Sequence, residues 1–508
     1  MRIAPFAIAI VAGIAQAASI AAPWNGHPQW WLQLLSLAAL ALLVQRAAGW
    51  RECALLAWLF ATAWLAGTWW WLFVSMHVYG GLAAPLAAAA VLLLAGFLSL
   101  YYALTAALSS FARGRSGALQ SVSFAGAWLV AELMRASFFT GFPWGASGYA
   151  HVDGPFSALA PYIGVYGIGA LAAFFSWWLA AVVRPSVRAS WRSWAAPAFA
   201  VVLLVVCNVV PSRQEEPARH KLSIALLQGN IPQDEKFEGG TGIPVALDWY
   251  ARQLQGSRAS LTVTPETAIP LLPAQLPAGY EDAIAAPFRD GQKAALIGIP
   301  LGNFEEGYSN SVVGLAPGAK PYRYDKHHLV PFGEFIPPLF KWFVRLMNIP
   351  LGDFNRGAIV QPPFEWRGER LSPNICYEDL FGEDLAAQFA DRSRAPTILV
   401  NMSNIGWFGD TVAIDQHLAI SRMRAIEFDR PVIRATNTGA TAIVDHHGDV
   451  TRQLPRLTRG VLTGDVAGRT TITPYVAWLS RLGLWPLWIV GLAALGAGAV
   501  RRREQARP

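Results

Sequence analysis

Leu371-Ser-Pro-Asn-Ile-Cys-Tyr-Glu-Asp379 reads as a buried strand that stops at a cysteine: it is apolar up to Ile375, then meets Cys376, then CYEDLFGEDL, which starts like a helix. A cysteine at such a junction has its sulfur exposed and close to backbone N–H groups, whose dipoles favour the thiolate. Working outward, KLSIALLQGN, SLTVTPETAIP, KAALIGIPLG and NSVVGLAPG precede this stretch as predicted strands. TILVNMSN, PVIRATNTG and TAIVDHHG follow it in the same way, with Asn437-Thr438-Gly439 making a turn between the last two. ALDWYARQLQ, EDLAAQFADR and DQHLAISRMRAIEFD read as helices between them. This order predicts an α/β domain built around at least one sheet.

Two more strand or loop ends carry chemistry that a cysteine can use. Glu266 follows LTVTP, where a strand yields to a turn, and Lys326 lies in the loop YDKHHLVPFGEFIP. A carboxylate can take the thiol proton, and a lysine can stabilise both thiolate and developing oxyanion. Singly, each of the three is an ordinary structural residue; only the set suggests nucleophilic catalysis. His327 and His328 invite a metal reading, but adjacent side chains in a loop seldom converge on one ion, and no Cys or third His is near in sequence. Solvated or loop-packing histidines are expected, with no metal and no cofactor.

This polar domain occupies only about half of the 508 residues. Hydrophobic residues make up 54% of the chain and charged residues 14%, against about 25% charged in a soluble globular protein. The deficit is concentrated before residue 211 and again near the C-terminus. A bilayer core of about 30 Å takes roughly 20 apolar residues in a helix. The apolar runs give eight candidate spans: 3–22, 29–45, 54–77, 82–111, 117–138, 160–183, 194–211 and 475–499. The expected organisation is a transmembrane region at 1–211, a catalytic domain at 212–470, and a last span with a basic tail at 471–508.

Basic residues orient the chain. Arg2 precedes the first span, Arg46 and Arg51 lie in the second loop, Arg113 and Arg115 in the fourth, Arg184, Arg188 and Arg192 in the sixth, and Arg501, Arg502, Arg503 and Arg507 after the last. The intervening loops have none, so both termini are expected in the cytoplasm and the polar domain outside. The first run also has the look of a secretory signal peptide, but the run of spans after it favours an uncleaved helix. The net charge of +7 sits mostly in these loops and the tail, which argues for membrane orientation and against a nucleic-acid partner. Three cysteines, Cys53, Cys207 and Cys376, give no disulfide framework. Glu132 and Arg135 in AGAWLVAELMRASFF are ionisable groups inside a span, read as an i,i+3 pair, a snorkelling arginine or a functional site. TGFPWG at 140–145 reads as an aromatic belt at the outer interface.

TPETAIP, YDKHHLVPFGE and NICYED resemble the Glu-Lys-Cys triad of the nitrilase superfamily, an αββα sandwich, over 220–465. GNIPQDEKF at 229–237, YDKHHLVPFGEFIP at 324–337, CYED at 376–379 and TGFPWG, with the order of spans, resemble its membrane-bound branch, the apolipoprotein N-acyltransferases. The resemblance implies an eight-span helical membrane bundle carrying a nitrilase-like αββα domain. It makes Cys376 the nucleophile, Glu266 the base and Lys326 the oxyanion stabiliser, with Glu334, Tyr377 and Glu378 in support. Phe237 stands where the family often has Trp, and Ile405 where it has an Asp in SN-D-x-WFG; Trp407 remains to shape a lipid-facing mouth.

The implied reaction takes an acyl chain from a phospholipid, phosphatidylethanolamine being the expected donor, onto Cys376. It then passes the chain to the α-amino group of a diacylglyceryl-cysteine on an apolipoprotein, at the bacterial inner membrane with the catalytic domain periplasmic. PPLFKWFVRLMNIPLG, 337–352, with Trp342 and Phe343 beside Lys341 and Arg345, is expected to form an amphipathic arm or an ordinary core helix. Two rivals use the same features: a membrane-tethered nitrilase-type amidohydrolase, with water as the acceptor, and a transporter or receptor whose outer domain only binds ligand.

Overall fold

The computed structural model describes residues 3–182, 198, 201–202, 220–289, 291–318, 321–336 and 354–498. The chain divides into two compact units. One holds residues up to Trp70, Ala88–Arg213 and Leu484 onward; the other holds Trp71–Ala87 and Gln214–Gly483.

Among the described residues, the second unit holds twelve strands in two six-stranded sheets. The strands are β1 (Leu222–Gln228), β2 (Leu261–Val263), β3 (Ala294–Asn303), β4 (Gly307–Leu315), β5 (Tyr322–Asp325), β6 (Phe364–Trp366), β7 (Glu369–Ile375), β8 (Ile398–Ser403), β9 (Val432–Thr436), β10 (Ala442–Val444), β11 (Val450–Gln453) and β12 (Gly460–Val466). The sheets run β12-β1-β2-β3-β4-β5 and β11-β10-β9-β8-β7-β6. Their centres are parallel, with Ile224 opposite Leu261, Ile375 opposite Met402 and Ser403 opposite Thr436.

Central strands buried on both faces need apolar residues at nearly every position, and alternation decides which face each one serves. Ile224 and Leu226 of β1 join Val263, Leu296, Ile375, Val400 and Ile433 in the core between the sheets. Ala295, Ile297 and Ile299 of β3 face outward onto Leu247 and Leu254 of the helix Gly242–Gly256. Each such valine, leucine or isoleucine, once fully buried, contributes about 1.5–3 kcal/mol. The helix Ala413–Phe428 covers the other sheet, which completes the αββα sandwich.

The first unit is helical: Ala4–Ile20, Trp30–Arg46, Trp50–Thr68, most of Ala84–Ser109, Gly117–Ser137, Ala160–Val182 and Trp485–Ala497. Among the described residues, the segments Ala84–Ala112, Gly117–Thr140 and Pro155–Ala181 are long and apolar enough to cross a membrane. Close helix approach depends on small residues. A side chain at Gly13 would strike the Phe60 carbonyl, and one at Gly126 would strike the backbone at Leu495.

Two expected spans are not single helices. The run 54–77 ends as a helix at Thr68, then becomes a short turn of helix, Leu72–Val74, and a π-turn, Ser75–Tyr79. The run 475–499 is two helices, Pro474–Leu482 and Trp485–Ala497, broken at Gly483 with φ +55. Composition cannot distinguish a straight apolar helix from a broken one. The run 194–211 lies largely outside the described residues, as do Cys207 and the segment 337–352 with its Trp342 and Phe343.

TGFPWG is not an interfacial belt. Trp144 is buried, and Arg135 Nη1 donates to the carbonyls of Phe142 (2.6 Å) and Trp144 (2.9 Å). Arg135 and Glu132 are fully buried 3.8 Å apart, and Glu132 accepts the Ser147 N–H at 2.8 Å. The pair therefore pins the 140–147 turn inside the first unit, because a buried charge is stable only when surrounded by partners.

Candidate active site

Cys376 follows β7 directly, at φ +54, and opens the 3-10 turn Cys376–Leu380. The left-handed region costs a non-glycine residue roughly 1–2 kcal/mol. The turn is held by Glu378, whose Oε2 accepts the Ile375 N–H (2.7 Å) and the Tyr324 hydroxyl (2.8 Å). Glu378 Oε1 accepts the N–H groups of His327 (2.6 Å) and His328 (3.1 Å). One carboxylate thus ties the cysteine turn to the loop after β5 that presents Lys326. Tyr377 is buried against His328 and Phe381, and packs rather than facing solvent.

Glu266 comes three residues after β2, and Lys326 one residue after β5. Lys326 Nζ lies 3.2 Å from Glu266 Oε1 and 2.9 Å from Glu334 Oε1. Asn310 of β4 spans the same two carboxylates, donating to Glu266 Oε1 at 2.7 Å and to Glu334 Oε1 at 2.8 Å. The other oxygen of Glu266 accepts the Asn404 N–H at 2.8 Å, and that of Glu334 accepts the Val330 N–H at 2.9 Å. Burial alone would push Glu266 up, but Lys326, then Lys236, and the amide donors hold it below the usual carboxylate range. Burial would discharge Lys326, yet Glu266 and Glu334 hold its proton affinity well above normal.

Cys376 departs from the thiolate expected of it. It keeps partial solvent access, but the protein packed around it and then the Glu266 charge push its thiol up to about 12, against the pull of Lys326 and Ser403. Desolvation is the larger cause, and the nearby anion adds to it. At neutral pH the site therefore holds a thiol, a carboxylate and an ammonium.

Residues that were not singled out as site candidates complete the cluster. Asn310, Asn404 and Lys236 all touch Glu266 or its turn. Beneath the cysteine, His417 Nε2 lies 3.2 Å from the Cys376 carbonyl and 3.0 Å from Asp379, which Arg434 also reaches at 3.3 Å. His327 and His328 are loop-packing residues: His327 Nδ1 lies 2.7 Å from the Gly357 carbonyl and His328 Nδ1 3.2 Å from Asp384. Of the residues expected at a lipid-facing mouth, Phe237 is exposed beside Lys236. Trp407 meets Tyr79 edge-to-face at 6.0 Å, while neighbouring Phe408 packs on Trp71 at 4.2 Å. The segment Trp71–Ala87 thus lines the same unit as the cysteine.

Paired sheets that bring a carboxylate, an ammonium and a strand-end cysteine together define a carbon–nitrogen hydrolase fold, and the carbon–nitrogen hydrolase family pattern matches residues 223–475. The pattern described as the apolipoprotein N-acyltransferase N-terminal domain matches residues 12–178. An apolipoprotein N-acyltransferase of Verminephrobacter eiseniae is 56% identical, over 94% of this chain and 92% of that protein. One from Ralstonia nicotianae is 47% identical, over 94% and 90%. The chain belongs to the apolipoprotein N-acyltransferase family. Among solved structures, a CN-hydrolase superfamily protein from Xanthomonas campestris is 19% identical (TM-score 0.38; 52% of this chain, 96% of that one). An amidase from Nesterenkonia sp. is 20% identical (TM-score 0.37; 53% and 98%).

Proposed function

We propose that this membrane acyltransferase works through a thioester on Cys376, taking its acyl chain from a phospholipid and giving it to the α-amino group of a diacylglyceryl-cysteine on an apolipoprotein. The observation that carries the reading is the 3.2 Å contact between Lys326 and Glu266 beside Cys376. Glu266 takes the Sγ proton as sulfur attacks the sn-1 ester carbonyl carbon. Lys326 offsets the charge that develops on the carbonyl oxygen, where removal of a single such donor costs about 10²–10³ in rate in other enzymes. Collapse expels the lysophospholipid alkoxide, which takes the proton back from Glu266. The neutral acceptor amine then attacks the thioester, its proton passes to Glu266, and the departing thiolate recovers it.

A proton relay between thiol and carboxylate suits the charge states described above, since the thiol stays neutral until a substrate carbonyl is in place. Phosphatidylethanolamine is the donor proposed, Glu334 keeps Lys326 in place, and Tyr377 with Glu378 holds the cysteine turn. Phe237 and Trp407 are proposed as lipid contacts. Both substrates carry acyl chains, which accounts for apolar helices attached to the catalytic domain. The further proposal is that the domain at 212–470 lies in the periplasm, with both termini in the cytoplasm, since the basic loops alternate in that sense.

Intact-protein mass spectrometry tests the reading. Enzyme mixed with phosphatidylethanolamine should gain one fatty-acyl mass, absent in Cys376→Ala, and lose it to a diacylglyceryl peptide with a free amine. Absence of the adduct, or its discharge by water alone, would favour a tethered amidohydrolase.

A further inference from the structure

Lys236 is 2% exposed, on the loop between β1 and the helix Gly242–Gly256. Lysine is almost never fully buried without a counter-charge. Its direct partners are neutral oxygens, the Glu266 main-chain carbonyl at 3.1 Å and Thr267 Oγ1 at 2.8 Å. The charge that acts on it is that of Glu266. We propose that Lys236 is a positioning residue for the acyl transfer: it anchors the turn that carries Glu266 and supplies a second positive charge that keeps the Glu266 carboxylate an anion beside Cys376.

Two observations carry this. The first is geometric. Thr267 sits at φ +44, a conformation unfavourable to a β-branched residue, and it follows Glu266 directly. The turn is clamped on one side by Gly298, where an added side chain would strike the Pro265 carbonyl. On the other side Lys236 Nζ bonds both residues of the strained step. The second is the charge balance. Glu266 and Glu334 bring two negative charges, and Lys326 supplies only one positive charge between them. Without Lys236 the cluster facing a neutral Cys376 would carry an uncompensated anion, and a buried carboxyl in that position would bind a proton more readily. Burial lowers the Lys236 ammonium to about 8, against the pull of Glu266, so it remains cationic through the acid range in which Glu266 ionises.

This inference rests on the reading of Glu266 as the base for Cys376, and the test separates the two. Single-turnover release of lysophospholipid from phosphatidylethanolamine micelles is followed against pH for the full-length detergent-solubilised enzyme. Lys236→Gln removes the charge while keeping two N–H donors, Lys236→Met removes both, Lys236→Arg restores the charge, and Thr267→Val removes only the hydroxyl. Loss of a cation raises the proton affinity of a neighbouring carboxyl. The acid limb should therefore move up by about one pH unit or more in Gln and Met, equivalent to tenfold at a fixed acid pH. It should stay in place in Arg and in Thr267→Val. An unmoved acid limb with a lowered plateau, or loss of fold in Gln and Met alike, would overturn the inference by making Lys236 a structural prop. If the wild-type chain itself releases no lysophospholipid, the phospholipid reading fails first; Cys376 alkylation by iodoacetamide, followed against pH over the same variants, then decides the Lys236 inference, because loss of the cation in Gln and Met should move the alkaline limb of the thiol up, and an unmoved limb would overturn it.

Discussion

Glu378 accepts the Ile375 N–H at 2.7 Å, one residue before the cysteine, with the carboxylate oxygen that also takes the Tyr324 hydroxyl. Its other oxygen takes two N–H groups immediately after Lys326. The separation of cysteine and lysine is therefore set through a single side chain, and an amide cannot replace it, having one acceptor oxygen instead of two. Glu378→Gln should lower kcat/KM by about tenfold to a hundredfold, the equivalent of one lost charged hydrogen bond of about 1.5–3 kcal/mol. Steady-state acyl transfer together with the melting temperature checks this; an unchanged kcat/KM would mean that the turn holds without the clip.

Glu334 competes with Glu266 for Lys326 and for Asn310. Its charge also raises the proton affinity of Cys376. Glu334→Gln should therefore split two readouts in opposite directions. Alkylation of Cys376 by iodoacetamide at a fixed alkaline pH should become faster, because the thiolate is less disfavoured. Acyl transfer should become slower, by about tenfold or more, as Lys326 loses the partner that fixes its position. Slower alkylation would contradict the charge balance described here.

The raised thiol gives a stability signature. An unfolded cysteine ionises near about 8.5, and Cys376 in the fold is pushed up to about 12. Between these values the folded chain binds more protons than the unfolded one, so this group makes stability fall as pH rises. Below the unfolded value the penalty is absent. Cys376→Ala removes the ionisation, so its melting temperature should decline less than that of the wild type above about pH 8.5, with a gap on the order of 1–2 kcal/mol by about pH 10. Parallel melting curves would show the thiol is not raised.

How much of this was legible before the structure follows from the physics of each element. The central strands were readable because burial on both faces leaves uninterrupted apolar runs such as SIALL and TILV. Edge strands β5, β6, β11 and β12 were not, because YRYD, FEW, VTRQ and GVLTGDV mix polar and apolar residues as a half-solvated edge allows. Glu266, Lys326 and Cys376 stood out through their reactive types and flanks. Asn310 had no such signal, and Lys236 in GNIPQDEKF and Asn404 in the Ser403-Asn404 motif lay in family-like stretches without any mark of a role: an amide or a lysine acquires its role only from what burial places beside it. Hydropathy found the apolar runs but not the breaks after Thr68 and at Gly483, since a bent apolar helix and a straight one have the same composition.

The buried pair Glu132 and Arg135 supplies a test in the helical unit. Arg135 reaches the Phe142 and Trp144 carbonyls and the Tyr102 hydroxyl (3.2 Å), and its guanidinium lies over the Trp64 and Trp69 rings. Arg135→Met would leave Glu132 buried with the Ser147 N–H still donating to it, a situation that costs about 3–5 kcal/mol when one member of a buried pair is removed. Arg135→Lys keeps the charge but not the planar fork, and should recover only part of that loss. Glu132→Gln combined with Arg135→Met should be less destabilised than the sum of the two single changes, because each single change strands the other group. Melting temperatures in detergent for the four chains measure the coupling. Simple additivity would mean that Glu132 and Arg135 do not depend on each other, and that each holds the turn at 140–147 through its separate bonds to it.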